Sequence, residues 1–145
     1  MSSNSRYQRL LRAAGFIQIA SEQLGKTPEG QLDRAMHLAR TKAMLTQSKT
    51  TLEEIADECS MARGMYASNK SIRDSLIRAG ETIRVYLPLL ATAMDGLDAA
   101  AKDTSDLKPL AVSLESLATN FATISFTPVS ARLAMAPSDD TLPPQ

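Results

Sequence analysis

The 145-residue chain has no tryptophan, only three tyrosines and three phenylalanines, which excludes a core built on large rings. Leucine, isoleucine, alanine and methionine are left to fill the interior, and they suit helices packed on helices. Glycine and proline are scarce too, six and seven, with Pro137, Pro143 and Pro144 in the last nine residues. These are the main turn formers, so the elements should be few and long. The single cysteine, Cys59, excludes an intramolecular disulfide and any Cys-based metal spacing. It falls on an apolar seam position and reads as a buried, inert thiol of a reducing compartment. The single histidine, His37, is a lone helical imidazole, a poor signal for catalysis or metal binding. No Gly-rich phosphate loop, nucleophile elbow or Cys/His pair is present. The expectation is therefore a non-enzyme with no catalytic residue, metal, cofactor or small-molecule substrate. No apolar run reaches the roughly 18 residues of a transmembrane helix, so no membrane span is expected.

Charge is balanced overall but unevenly placed. Residues 1–49 carry eight Lys or Arg against three acids, residues 50–104 six against nine, and residues 105–145 two against four. The basic first third could face phosphates or anionic lipid, or complement the acidic remainder within an oligomer. Ser2, Ser3 and Ser5 followed by Arg6, Arg9 and Arg12, with no acid before Glu22, are also a pattern compatible with mitochondrial import. The expected location remains cytoplasmic or within a virion.

Apolar periodicity divides the chain into helices. Tyr7, Leu10, Leu11, Ala14, Ile17 and Leu24 form one stripe of a first helix over 5–24, while Phe16 and Ile19 project from the other side. A helix apolar on two sides is usually sandwiched between partners. Gly25 should close this helix in a left-handed conformation, with Thr27 and Pro28 opening the next over 28–46. Gln47-Ser48-Lys49 reads as a polar break, and Thr50 with Glu53 as a capping box. From Leu52 to Ala101 a 3-4 rhythm persists, shifting register at Asn69 and crossing Pro88, where a kink is expected. Glu53, Glu54, Asp57 and Glu58 then fall in the first turns of this long helix, where the helix dipole explains them better than a metal would. Leu107, Leu110, Leu114, Leu117, Phe121 and Ile124 mark a last helix over 107–125, with Pro109 in its first turn.

Within this stretch Ile55-Ala56, a possible turn and then Tyr66 resemble the helix-turn-helix of the arabinose-operon activator family, whose members often read Ile-Ala-x-x-x-Gly across the turn. The resemblance implies DNA binding by residues 51–70, with Arg63 early in the recognition helix. It covers fewer than about 25 residues. Ser60 stands where the turn glycine is usual, Ala67 where a phenylalanine follows the tyrosine, and no second such motif follows. A helix-turn-helix should also break the 3-4 rhythm between Ile55 and Tyr66, whereas here the rhythm continues and predicts a straight run.

The fold expected is all-α: an elongated helical bundle or coiled-coil hairpin over 1–127, with helices near 5–24, 28–46, 51–101 and 107–125. The central helix is long and kinked, and 128–145 form a disordered tail. Seam residues Leu76, Ile83, Leu87, Leu90 and Leu97 should face Leu110, Leu114, Leu117 and Phe121. The function expected is a structural, assembly or adaptor protein, such as a viral or phage structural protein or a subunit of a larger complex. It would form a homo-oligomer or bind a helical partner through Leu10, Leu11, Phe16, Ile17 and Ile19. The alternatives are a small DNA-binding regulator, with Arg34, Arg40, Lys42 and Arg63 on nucleic acid, and a membrane-surface protein using the basic first helix.

Overall fold

The structure, a computed structural model, describes residues 5–65, 68–102 and 106–128. Its elements are α1 (Arg6–Leu24), α2 (Gln31–Ser60), the single turn α3 (Ala62–Met65), α4 (Lys70–Ala100) and α5 (Lys108–Ala122), with no strand among the described residues. The all-α expectation is met. The division into helices differs from the sequence reading at one decisive place.

That place is the second quarter of the chain. The expected break at Gln47-Ser48-Lys49 does not exist, and α2 runs through it as one helix, ~45 Å long at 1.5 Å per residue. Leu38, Thr41, Leu45, Ser48, Leu52, Ile55 and Cys59 are all buried and keep an unbroken 3-4 spacing. Thr41 and Ser48 are simply polar members of that seam. The Thr41 hydroxyl donates to the His37 carbonyl one turn back at 3.0 Å, so a polar residue stays inside the helix without breaking it.

The chain instead reverses between Met61 and Asn69, and the single long helix expected over 51–101 is replaced by the α2–α4 hairpin. The register shift at Asn69 was a helix boundary. Asn69 is the N-cap of α4, its side-chain oxygen accepting from the Ile72 amide at 3.1 Å. Further along, α4 passes through Pro88 without reversing. Pro88 is exposed, so the carbonyl it leaves without an amide partner lies on the solvent side.

Caps explain the remaining boundaries. Ser5 starts α1 by accepting from the Gln8 amide at 3.0 Å. Gly25 closes α1 with φ −69°, right-handed and not left-handed as expected. Thr27 does not open α2 either. Its hydroxyl turns back to the Leu24 carbonyl at 2.9 Å, and α2 begins after Gly30. Pro109 sits in the first turn of α5, as the sequence implied. Beyond Ala122 the backbone leaves the helix, yet Ile124, Phe126 and Thr127 remain buried. The expected tail over 128–145 lies, from Val129 onward, outside the described residues.

These helices form an up-down-up-down four-helix bundle. α1 packs on α2 and α5, and α4 packs on the same two; α1 and α4 are diagonal, as are α2 and α5. Each contact is antiparallel. Arg9 near the start of α1 reaches Glu58 near the end of α2, and Lys42 of α2 reaches Asp98 near the end of α4. Ser21 donates to the Ala111 carbonyl of α5 at 2.7 Å. Tyr86 of α4 meets Phe121 of α5 edge to face, with centroids 5.6 Å apart. The core takes Leu10, Ile17, Leu45, Leu52, Ile83, Leu90 and Leu114, each fully buried. Of the expected hairpin seam, Leu87 and Leu110 are only partly buried, and the others lie in the core.

Candidate interaction surfaces

Several charged residues singled out in the sequence, Arg6, Arg9, Arg34, Lys42, Asp57 and Glu58, hold helices to one another. The dipole explanation for Glu53, Glu54, Asp57 and Glu58 fails, because these acids lie in the last turns of α2, at its negative end. Neighbouring cations account for three of them. Lys49 pairs with Glu53 at 3.0 Å, Arg84 of α4 with Asp57 at 2.8 Å, and Arg6 and Arg9 of α1 both with Glu58. Arg9 grips the Glu58 carboxylate through both terminal nitrogens, at 2.8 and 2.5 Å. The hydrogen bonds from Arg9, and then the positive charges of Arg9 and Arg6, hold the Glu58 carboxyl below its ordinary value against the opposing effect of partial burial. Among the described residues no group of three or more His, Cys, Asp or Glu converges on a metal position.

Among the described side chains, those proposed for nucleic acid do not form one basic face. Arg34 donates to the Ala100 carbonyl at 3.3 Å, at the electronegative end of α4. Lys42 is paired with Asp98 at 2.7 Å, and Arg40 is exposed. The Arg63 side chain lies outside the described set. Ser60 is followed by the turn at Met61 and by α3, which has four residues. The straight run expected there is thus corrected: the chain does turn near Ser60. The basic side of α1 is also engaged, since Arg6 and Arg9 face α2. Among the described residues no helix is long and apolar enough to cross a membrane.

The five residues proposed for partner contact do not share one surface. Leu10 and Ile17 are fully buried in the core and offer no surface. Leu11 and Ile19 are 38% and 40% exposed on the outer face of α1. Phe16 is half-buried, lining a small cavity between α1 and α2 beside Arg9, Arg12, Ser48 and Thr51. The Ser48 hydroxyl, 1% exposed, has no hydrogen-bond partner among the described residues.

A second apolar surface lies between α4 and α5, and the sequence reading missed it. Val85 and Leu89 of α4 and Val112 of α5 are 65%, 54% and 55% exposed. Leu89 and Val112 flank a groove of about 420 Å³ whose floor includes Ala93, Leu110 and Leu117. The signal was present: all three residues are strongly apolar yet fall off the seams of their helices, and helical geometry then turns them outward. Compared with known protein families, with characterised proteins and with solved structures, the chain matches none.

Proposed function

We propose that this protein is a non-enzymatic assembly or adaptor component that works by pairing its outer helix faces with further helices. The observation that carries this reading is the apolar surface between α4 and α5, where Leu89 and Val112 flank the groove and, with Val85 one turn before Leu89 on α4, stand more than half exposed. Clustered exposed apolar side chains are characteristic of interaction sites, and a groove between two helices suits an amphipathic helix. Placement as a viral structural protein or as a subunit of a larger complex remains part of this proposal. The test replaces Leu11, Ile19, Leu89 and Val112 together by aspartate. The expected variant melts as the parent does but loses association; equal association of variant and parent would contradict the reading.

A second reading, DNA binding around residues 51–70, has one observation in its favour. The chain turns at Met61, where a helix-turn-helix would turn. A gel-shift titration at two salt concentrations tests it, and no shift at low salt removes it.

A further inference from the structure

Ser75, Arg78, Thr82 and Tyr86 recur along α4 at steps of three and four, so they share one face of the helix. Opposite them stand Asn120 in the last turn of α5, and Thr123, Ser125 and Thr127 past its end. Ile124 and Phe126 are buried in the core and anchor this segment beside α4. Between the two walls lies a cavity of about 230 Å³. Its lining holds one cation, Arg78, and no carboxylate. The neighbouring acids of α4 are used elsewhere: Asp74 pairs with Arg73 at 3.5 Å, and Glu81 lines a separate pocket with Ser60 and Arg84.

Three donors at this cavity have no hydrogen-bond partner among the described residues: the Arg78 guanidinium, the Tyr86 hydroxyl and the Asn120 side-chain amide. A fourth comes from Ser125 and Thr127, whose hydroxyls lie 3.2 Å apart, so that one donates to the other and the second proton is left over. The remaining hydroxyls are spent on carbonyls, Ser75 on Ser71, Thr82 on Arg78 and Thr123 on Asn120. The negative end of α5 is blunted here as well. Its Asn120 carbonyl accepts from Thr123 and its Phe121 carbonyl from Ile124.

We propose that this cavity binds a phosphate or a small phosphate monoester, with Arg78 supplying the charge and Tyr86, Asn120 and the Ser125–Thr127 pair supplying neutral donors. The site adjoins the α4–α5 groove at Asn120 but does not depend on the assembly reading. A guanidinium fork meets two oxygens of such an ion side by side. A tetrahedral ion turns its other oxygens toward the opposite wall, where a carboxylate has none to offer. The volume is several times the roughly 30 Å³ of one water, more than a halide fills. With one exposed cation, a dissociation constant of about 1 mM is expected.

The test titrates the full chain with inorganic phosphate at constant ionic strength, followed by amide NMR shifts. Saturable shifts around Arg78 and Asn120 are expected, with acetate and chloride much weaker. Arg78→Gln should weaken binding by about tenfold or more. Tyr86→Phe, which keeps the ring on Phe121, should weaken it by about threefold or more. Neither group has a partner in the described chain, so both variants should melt with the parent. Arg40→Gln, at an exposed position of α2, should bind as the parent does. So should the Asp139→Asn/Asp140→Asn variant; binding about tenfold tighter there would put the chain's own carboxylates in the cavity and overturn the free-ligand assignment. Acetate matching phosphate would contradict the choice of ligand. Equal losses in Arg40→Gln and Arg78→Gln, or no saturation by about 10 mM phosphate, would overturn the site itself.

Discussion

Gly80 of α4 lies so close to Cys59 of α2 that a Cβ on residue 80 would also stand 3.3 Å from the Ala56 carbonyl oxygen. Both obstacles belong to the rigid part of α2, so neither can step aside. Gly80→Ala is expected to push the hairpin apart and cost about 1–3 kcal/mol. Gly96→Ala meets first the end of the partly buried Leu110 side chain, which can change rotamer. Its clash and its helix-propensity gain should offset to within about 1 kcal/mol. Urea unfolding midpoints of the two variants check the contrast, and equal losses would contradict the packing described.

Gly15→Ala is predicted to move stability the other way. With no contact near its Cβ position among the described residues, alanine should gain about 0.5–1 kcal/mol through helix propensity. Thermal unfolding at a dilution where the chain is monomeric reads this directly. A loss there would mean that part of the chain already occupies the space above Gly15.

The contrast between Ile17 and Ile19 separates core from face. Ile17→Ala, at a fully buried position, should cost about 2–5 kcal/mol. Ile19→Ala, at 40% exposure, should change monomer stability by no more than about 0.5 kcal/mol. Denaturant titrations of both variants measure the gap. Similar losses would show that Ile19 is covered within its own chain.

Glu58 gives the bundle an acid-sensitive contact. Its carboxyl is held below its ordinary value of 4.5, chiefly by the Arg9 hydrogen bonds. A depressed carboxylate contributes stability that is complete above the unfolded value and lost as pH falls through the folded one. The contribution should therefore be constant from neutrality to about pH 5 and fade below about 4.5. The carboxylate is more than a third exposed, so solvent screening limits its worth to about 1 kcal/mol. Glu58→Gln should lower stability at pH 7 and flatten its decline between pH 5 and 3. An unchanged acid slope would contradict the Arg6–Arg9–Glu58 cluster.

The sequence was readable wherever apolar spacing alone decided the outcome. The α1 stripe through Leu10, Ile17 and Leu24, the α4 seam through Leu76, Ile83, Leu90 and Leu97, and the α5 stripe through Leu114, Leu117 and Phe121 are all buried as their periodicity implies. The errors came from local polar chemistry that tertiary packing overrode. Ser48 looked like part of a break, but a small polar residue fits a seam where α1 presses on α2. Asn69 looked like a stutter within one helix because the seam resumes after it, although asparagine caps helices as readily as it perturbs coiled coils. Thr50 with Glu53 matched a capping box and lies mid-helix instead. For the surfaces, spacing put Leu10 and Ile17 on the same stripe as exposed Leu11, and only packing could tell which side α2 and α5 cover. Val85, Leu89 and Val112 are legible in the sequence as apolar residues off the seams.

Light scattering coupled to size exclusion, across a dilution series of the full chain, tests the assembly account most directly. An average mass above the 15.6 kDa of one chain is expected at high concentration, falling toward that value on dilution. A single-chain mass at every concentration, with the bundle still fully helical, would contradict it.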